Sequence, residues 1–232
     1  MEDIKKMFST PKSKLVGIVV IVLVLILVVN TSKKQKEFPE EVGKNLNQKS
    51  VVATPPPVDP AILAADKAQL AELKKKFSYS YDEFKKVGWY ENKSQGVNVI
   101  YDKDILRVYV NNEGYAYLAD QYTSDDWIFH TRVEVKIGDV IYKTEDIPNY
   151  DPDNSTDNGS GSVWETISYT NGRDNGIIKA IAESGDTPIK VRFTGGKYYH
   201  DITLAKRDQQ AIKDAYQLSE LIKKVGDTNT AQ

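Results

Sequence analysis

The stretch W-I-F-H-T-R-V-E-V-K-I (127–137), followed by G-D and then V-I-Y-K (140–143), decides the fold. Trp127, Phe129, Thr131, Val133, Val135 and Ile137 alternate with Ile128, His130, Arg132, Glu134 and Lys136. A period of two sends successive side chains to opposite faces of a strand, so the spacing predicts one long strand with an apolar and a polar face. On this reading His130, Arg132 and Glu134 project together as an exposed cross-strand charge cluster. Gly138-Asp139 has the form of a two-residue hairpin loop with glycine first, and V-I-Y-K returns beside the long strand.

Outward from this hairpin the same period recurs. Leu106, Val108 and Val110 alternate with Arg107 and Tyr109, and N-N-E-G (111–114) turns the chain into Y-A-Y-L-A-D-Q-Y (115–122). V-W-E-T-I-S-Y (163–169) predicts another strand after a polar loop, and I-I-K-A-I-A-E-S (177–184) a short helix. I-K-V-R-F-T-G-G-K-Y-Y-H-D-I (189–202) predicts a final hairpin around Gly195-Gly196. Thr203 is the expected cap of a closing helix whose stripe is Ala211, Ile212, Ala215, Leu218 and Ile222, ending at Gly226. Ahead of the strands, Asp59 caps a helix with Pro60 at its first position. Leu63, Leu70 and Phe77, flanked by Ile62 and Leu73, give that helix over 59–76 its apolar stripe. About seven strands with helices mostly at the ends predict an α+β fold over 77–226, a mainly antiparallel β-sandwich-like domain flanked by helices.

The first 58 residues have another character. Leu15 to Val29, L-V-G-I-V-V-I-V-L-V-L-I-L-V-V, is an unbroken apolar run bracketed by lysines. Extended through Asn30, Thr31 and Ser32 it reaches about 27 Å as a helix, close to the ~30 Å hydrocarbon core of a bilayer. V-V-N-T-S at its end lacks the small residues at −3 and −1 that a cleavable signal needs, and without cysteine there is no lipobox. Residues 15–32 are therefore expected to be an uncleaved transmembrane anchor, with 1–14 a cytoplasmic tail. Residues 33–58 carry five lysines and end in A-T-P-P-P-V, a composition that reads as a stiff spacer. Residues 227–232 read as a tail. Lysines flank the anchor four before and five after, so the positive-inside count does not orient it. The short basic tail ahead of an apolar core has the layout of a signal-anchor, which places the N-terminus in the cytoplasm and the domain outside a bacterial cell membrane.

Charge and composition exclude several functions. Residues 59–232 hold 22 basic residues against 28 acidic ones. An acidic domain gains no counterion-release energy from a phosphate backbone, so no nucleic-acid partner is expected. With no cysteine and two histidines, His130 and His200, thiolate metal sites, cysteine nucleophiles and H-E-x-x-H helices are absent. D-P-D-N-S-T-D-N-G (151–159) spaces Asp151, Asp153, Ser155 and Asp157 as calcium loops do, but Thr156 and Ser162 stand where an EF-hand needs Gly and Glu. It reads as a polar hairpin loop. No cofactor and no metal are expected.

The motif order Y-D-E-F-K-K-V-G-W-Y-E-N-K (81–93), Q-Y-T-S-D-D-W-I-F (121–129), V-W-E (163–165) and I-K-V-R-F-T-G-G-K-Y-Y (189–199) before a terminal helix resembles an uncharacterised β-rich domain of bacterial and phage-associated envelope proteins and lipoproteins. The resemblance covers roughly residues 75–222 and implies an envelope setting, with no activity and no catalytic residues. Thr166 after the W-E pair departs from the aromatic residue expected there. Trp89, Tyr90, Asp125, Asp126, Trp127 and Trp164 are the candidate ligand or partner residues; convergence of the aromatic ones around a cleft would mark a ligand site, and burial would return them to the core, while turn chemistry accounts for Asp125 and Asp126 at a strand entry. The function expected is a membrane-anchored extracytoplasmic binding module, with an envelope protein or glycan as partner and the bilayer engaged through residues 15–32. The alternatives are a hydrolase of envelope material using Asp125, Asp126 or Glu165, and a membrane-tethered cytoplasmic adaptor.

Overall fold

The computed structural model describes residues 59–95 and 103–227. The expected tail, anchor and spacer over 1–58 lie outside them, as do residues 228–232. Helix α1 (Pro60–Lys74) begins on the Asp59 cap, whose Oδ1 accepts the Ala61 N–H at 2.8 Å. It buries Leu70 and Leu73. Phe77, expected on the same helical stripe, instead opens strand β1 (Phe77–Asp82), where it is buried.

Ten strands follow rather than about seven, in two sheets in which every pairing is antiparallel. They are β2 (Val87–Asn92), β3 (Ile105–Asn111), β4 (Ala116–Ser124), β5 (His130–Ile137), β6 (Val140–Lys143), β7 (Asn154–Gly159), β8 (Ser162–Tyr169), β9 (Ile189–Gly195) and β10 (Tyr199–Thr203). The larger sheet runs β1-β2-β3-β4-β8-β7 and the smaller β10-β9-β5-β6. The described residues are thus α+β and mainly antiparallel, with three α-helices among them. Helix α2 (Ile177–Glu183) and helix α3 (Lys206–Val225) complete it.

Alternation explains where the core lies. Leu106, Val108 and Val110 of β3, Leu118 and Tyr122 of β4, and Ile167 and Tyr169 of β8 point to one face of the larger sheet and are buried. Helix α3 covers the β2–β4 part of that face, and β5 approaches it at β8. The α3 stripe of Ala211, Ile212, Ala215, Leu218 and Ile222 is buried throughout. The helix starts two residues later than the Thr203 cap would place it, with Ala205 at the cap position and no side-chain hydrogen bond there. Gly226 ends it at φ 78°.

Two local departures from simple alternation matter for the site. The polar stretch expected as a loop is half strand: Asn154–Gly159 pairs with β8 as an exposed edge, and the turn is confined to Ser160-Gly161. The long strand expected from Trp127 starts only at His130. Its register slips there, His130 pairing with Gly195 but Arg132 with Thr194, so Thr131 is an extra residue in a β-bulge. The bulge turns His130 to the buried face shared with Val133 and Val135, away from Arg132 and Glu134. The exposed cluster expected of those three residues is therefore corrected: His130 is wholly buried.

Candidate functional site

The chemistry-bearing centre of the described residues is built around that histidine. Asp120 of β4 stands in register between Leu118 and Tyr122, and Glu165 of β8 between Val163 and Ile167, so both carboxylates occupy inward positions that alternation reserves for apolar side chains. His130 enters between them from the smaller sheet. Its Nε2 lies 2.7 Å from Asp120 Oδ1 and its Nδ1 3.0 Å from Glu165 Oε2. Side-chain exposure is 0% for all three.

Each carboxylate is otherwise satisfied. Tyr169 Oη donates to Asp120 Oδ2 at 2.8 Å, and the Ile167 N–H to Oδ1 at 3.3 Å. Glu165 accepts three successive backbone N–H groups, those of Ile128 (2.7 Å) and Phe129 (2.9 Å) on Oε1 and that of His130 (2.6 Å) on Oε2. A carboxylate only accepts, so both ring nitrogens donate and the ring is an imidazolium. Burial pulls the His130 imidazole down, but the neighbouring Asp120 and Glu165 carboxylates outweigh it and push the group up to about 9. Burial pushes Glu165 up; the hydrogen bonds from His130 and from the Phe129 and His130 backbone outweigh it and hold the carboxyl below its usual value. Burial, with the Asp120 charge beside it, drives the Tyr169 phenol well above its own.

This arrangement suits holding rather than reacting. Tyr122 and Phe193 pack edge-on to the imidazole at 6.4 and 5.5 Å, and both of its nitrogens are committed. An acid–base catalyst must reach a substrate proton, and this ring has no exposed atom. The network instead ties β4 and β8 of the larger sheet to β5 of the smaller one. Asp120 and Tyr169 escaped the sequence reading. The available signal was a carboxylate at an inward register position in two neighbouring strands.

The six residues singled out from the sequence fall into three places. Tyr90 is a core residue whose Oη donates to Asp227 at 2.8 Å. Trp89 and Trp164 lie half-buried on the opposite, outward face of the larger sheet. The Trp89 ring is 5.3 Å from that of Tyr117, and the Trp164 ring lies against Gly159. Asp125, Asp126 and Trp127 belong to the loop joining β4 to β5. Both aspartates are exposed, the Asp126 carbonyl accepts the Tyr122 hydroxyl at 2.9 Å, and Trp127 stacks on Phe129 with centroids 5.7 Å apart and planes 11° apart. The calcium-like spacing has another use: Asp153 and Asp151 each take a nitrogen of Arg173 at 3.1 Å. Among the described residues no group of three or more His, Asp or Glu side chains is arranged to hold a metal ion.

No family model, no curated protein and no solved structure matches this chain.

Proposed function

We propose that this chain is a single-pass membrane protein, anchored through residues 15–32, whose β-rich domain lies outside a bacterial cell and serves as a binding module of the envelope. The observation that carries the binding reading is the division of labour around Glu165. Its carboxylate, His130 and Asp120 are spent on one another inside the molecule, while on the adjoining loop the exposed Phe129 ring stacks on a half-buried Trp127. The apolar run and its basic flanks support the anchor, and the motif order resembling an envelope domain supports the setting.

A reporter active only across the membrane, fused after Gln232, should be active. Changing Lys5, Lys6, Lys12 and Lys14 to neutral residues should then give mixed orientation, because five lysines oppose them on the far side. Activity confined to the cytoplasm would replace this reading with the tethered adaptor. Release of soluble fragments from purified envelope polymers would replace it with the hydrolase.

A further inference from the structure

We infer that the stacked pair Trp127 and Phe129 is a preformed platform for the ring of a neutral saccharide; this names a ligand class for the binding-module reading above and rests on it.

Phe129 is the residue that makes the loop unusual. It is 51% exposed and its backbone is left-handed, at φ 51°. For a bulky residue such a conformation is strained and persists only where the surroundings over-determine it. They do so from two sides. Three consecutive N–H groups, at 128, 129 and 130, converge on the Glu165 carboxylate as an anion nest. On the other side Gly195 presses so close that a Cβ there would stand 1.9 Å from the Ile128 carbonyl oxygen. With the backbone held on both sides, the exposed Phe129 ring lies nearly parallel to the half-buried Trp127 ring.

The surroundings select the ligand. Asp125 and Asp126, immediately before Trp127, are exposed acceptors. Gly195 pairs with His130 and lies against the Ile128 and Phe129 carbonyls, which brings the start of the β9–β10 turn, closed by the Gly195 N–H donating to the Tyr198 carbonyl at 2.9 Å, beside the loop. Tyr198 and Tyr199 carry Lys197 and Arg192 on their rings, at 4.8 and 4.1 Å. Among the described residues no such cation lies over Trp127 or Phe129. The two exposed carboxylates that precede Trp127 on the same loop disfavour an anionic lipid surface, and charged residues next to a small apolar centre are unlike the charge-depleted core of a protein interface. Flat apolar rings bordered by acceptors and donors match a pyranose, which has an apolar C–H face and a rim of hydroxyl groups.

The test uses the full chain in lipid nanodiscs and, as probes, the tetramers of N-acetylglucosamine and of glucose. Saturation-transfer NMR should show sugar ring protons receiving magnetisation, and titration of tryptophan fluorescence should give a saturable change. Trp127→Ala and Phe129→Gly should each weaken binding at least tenfold. The glycine variant accepts the left-handed backbone and so removes the ring without disturbing the loop. No binding of either tetramer at millimolar concentration overturns the inference. So does binding that both variants retain, or dependence on the pair shown only toward a protein partner. Because the assay is indifferent to which side of the membrane the domain occupies, its failure is distinct from a failure of the topology experiment.

Discussion

The smaller sheet carries an ion pair network on each face, and the two could hardly differ more in consequence. On its outer face Arg192 meets Asp201 through two hydrogen bonds of 2.6 and 2.7 Å, with both side chains nearly half exposed. On its inner face His130 meets Asp120 and Glu165 with no exposure at all. The outer pair has the better individual geometry, yet water offers each partner an equivalent alternative and the pair gains little. The inner groups have no such alternative. Removing one partner there strands the others, and the loss is several kcal/mol even though the intact network need not outdo an apolar replacement. Burial, more than distance, decides which contact the fold depends on.

The largest expected effect comes from breaking the inner network. His130→Leu, which leaves two carboxylates facing each other in the core, should lower unfolding stability by about 3–5 kcal/mol, measured by urea titration. Replacing Asp120, His130 and Glu165 together by apolar residues should recover a large part of that loss. If the single and triple variants were equally destabilised, pairing would not be the reason for the cost.

Next comes the pH dependence. The folded value of His130 is raised, so its contribution is complete below its ordinary 6.5 and is lost as pH climbs through about 9. The folded value of Glu165 is lowered from 4.5, so its contribution is complete above that and is lost as pH falls through the depressed value. Stability should therefore peak between these limits, with an alkaline decline that His130→Leu lacks. An identical decline in the variant would assign it to other groups.

A smaller loss is expected from Tyr169→Phe, which leaves Asp120 Oδ2 without its hydroxyl donor and should cost roughly 1–3 kcal/mol in the same titration. Smallest of all is Arg192→Ala. Its melting midpoint should match the parent's, in low salt and in high; a clear drop would erase the contrast between the two faces.

Much of the scaffold was legible from the chain. The β5–β6 hairpin at Gly138-Asp139, the turn after Asn111 and the α3 stripe follow from period and turn chemistry acting locally. What escaped has long-range causes. Thr131 reads as one more alternating residue; only the pairing with β9, where Gly195 gives way to Ile128, makes it a bulge and turns His130 inward. Asn154–Gly159 has no apolar alternation because it is an exposed edge, held as a strand by β8 alone. Asp120 carried no signal of its own, and Glu165 stood only as a hydrolase carboxylate, because their shared partner arrives from a strand 10 residues from one and 35 from the other.

The central claim is that His130 is a doubly protonated cation inside the protein, and nitrogen-15 NMR of the histidine side chains reads it directly. At pH 7.5 both nitrogens of His130 should show the shifts of protonated imidazolium, with titration near pH 9. A single protonated nitrogen at pH 7.5, or a titration midpoint at or below 6.5, would contradict the account.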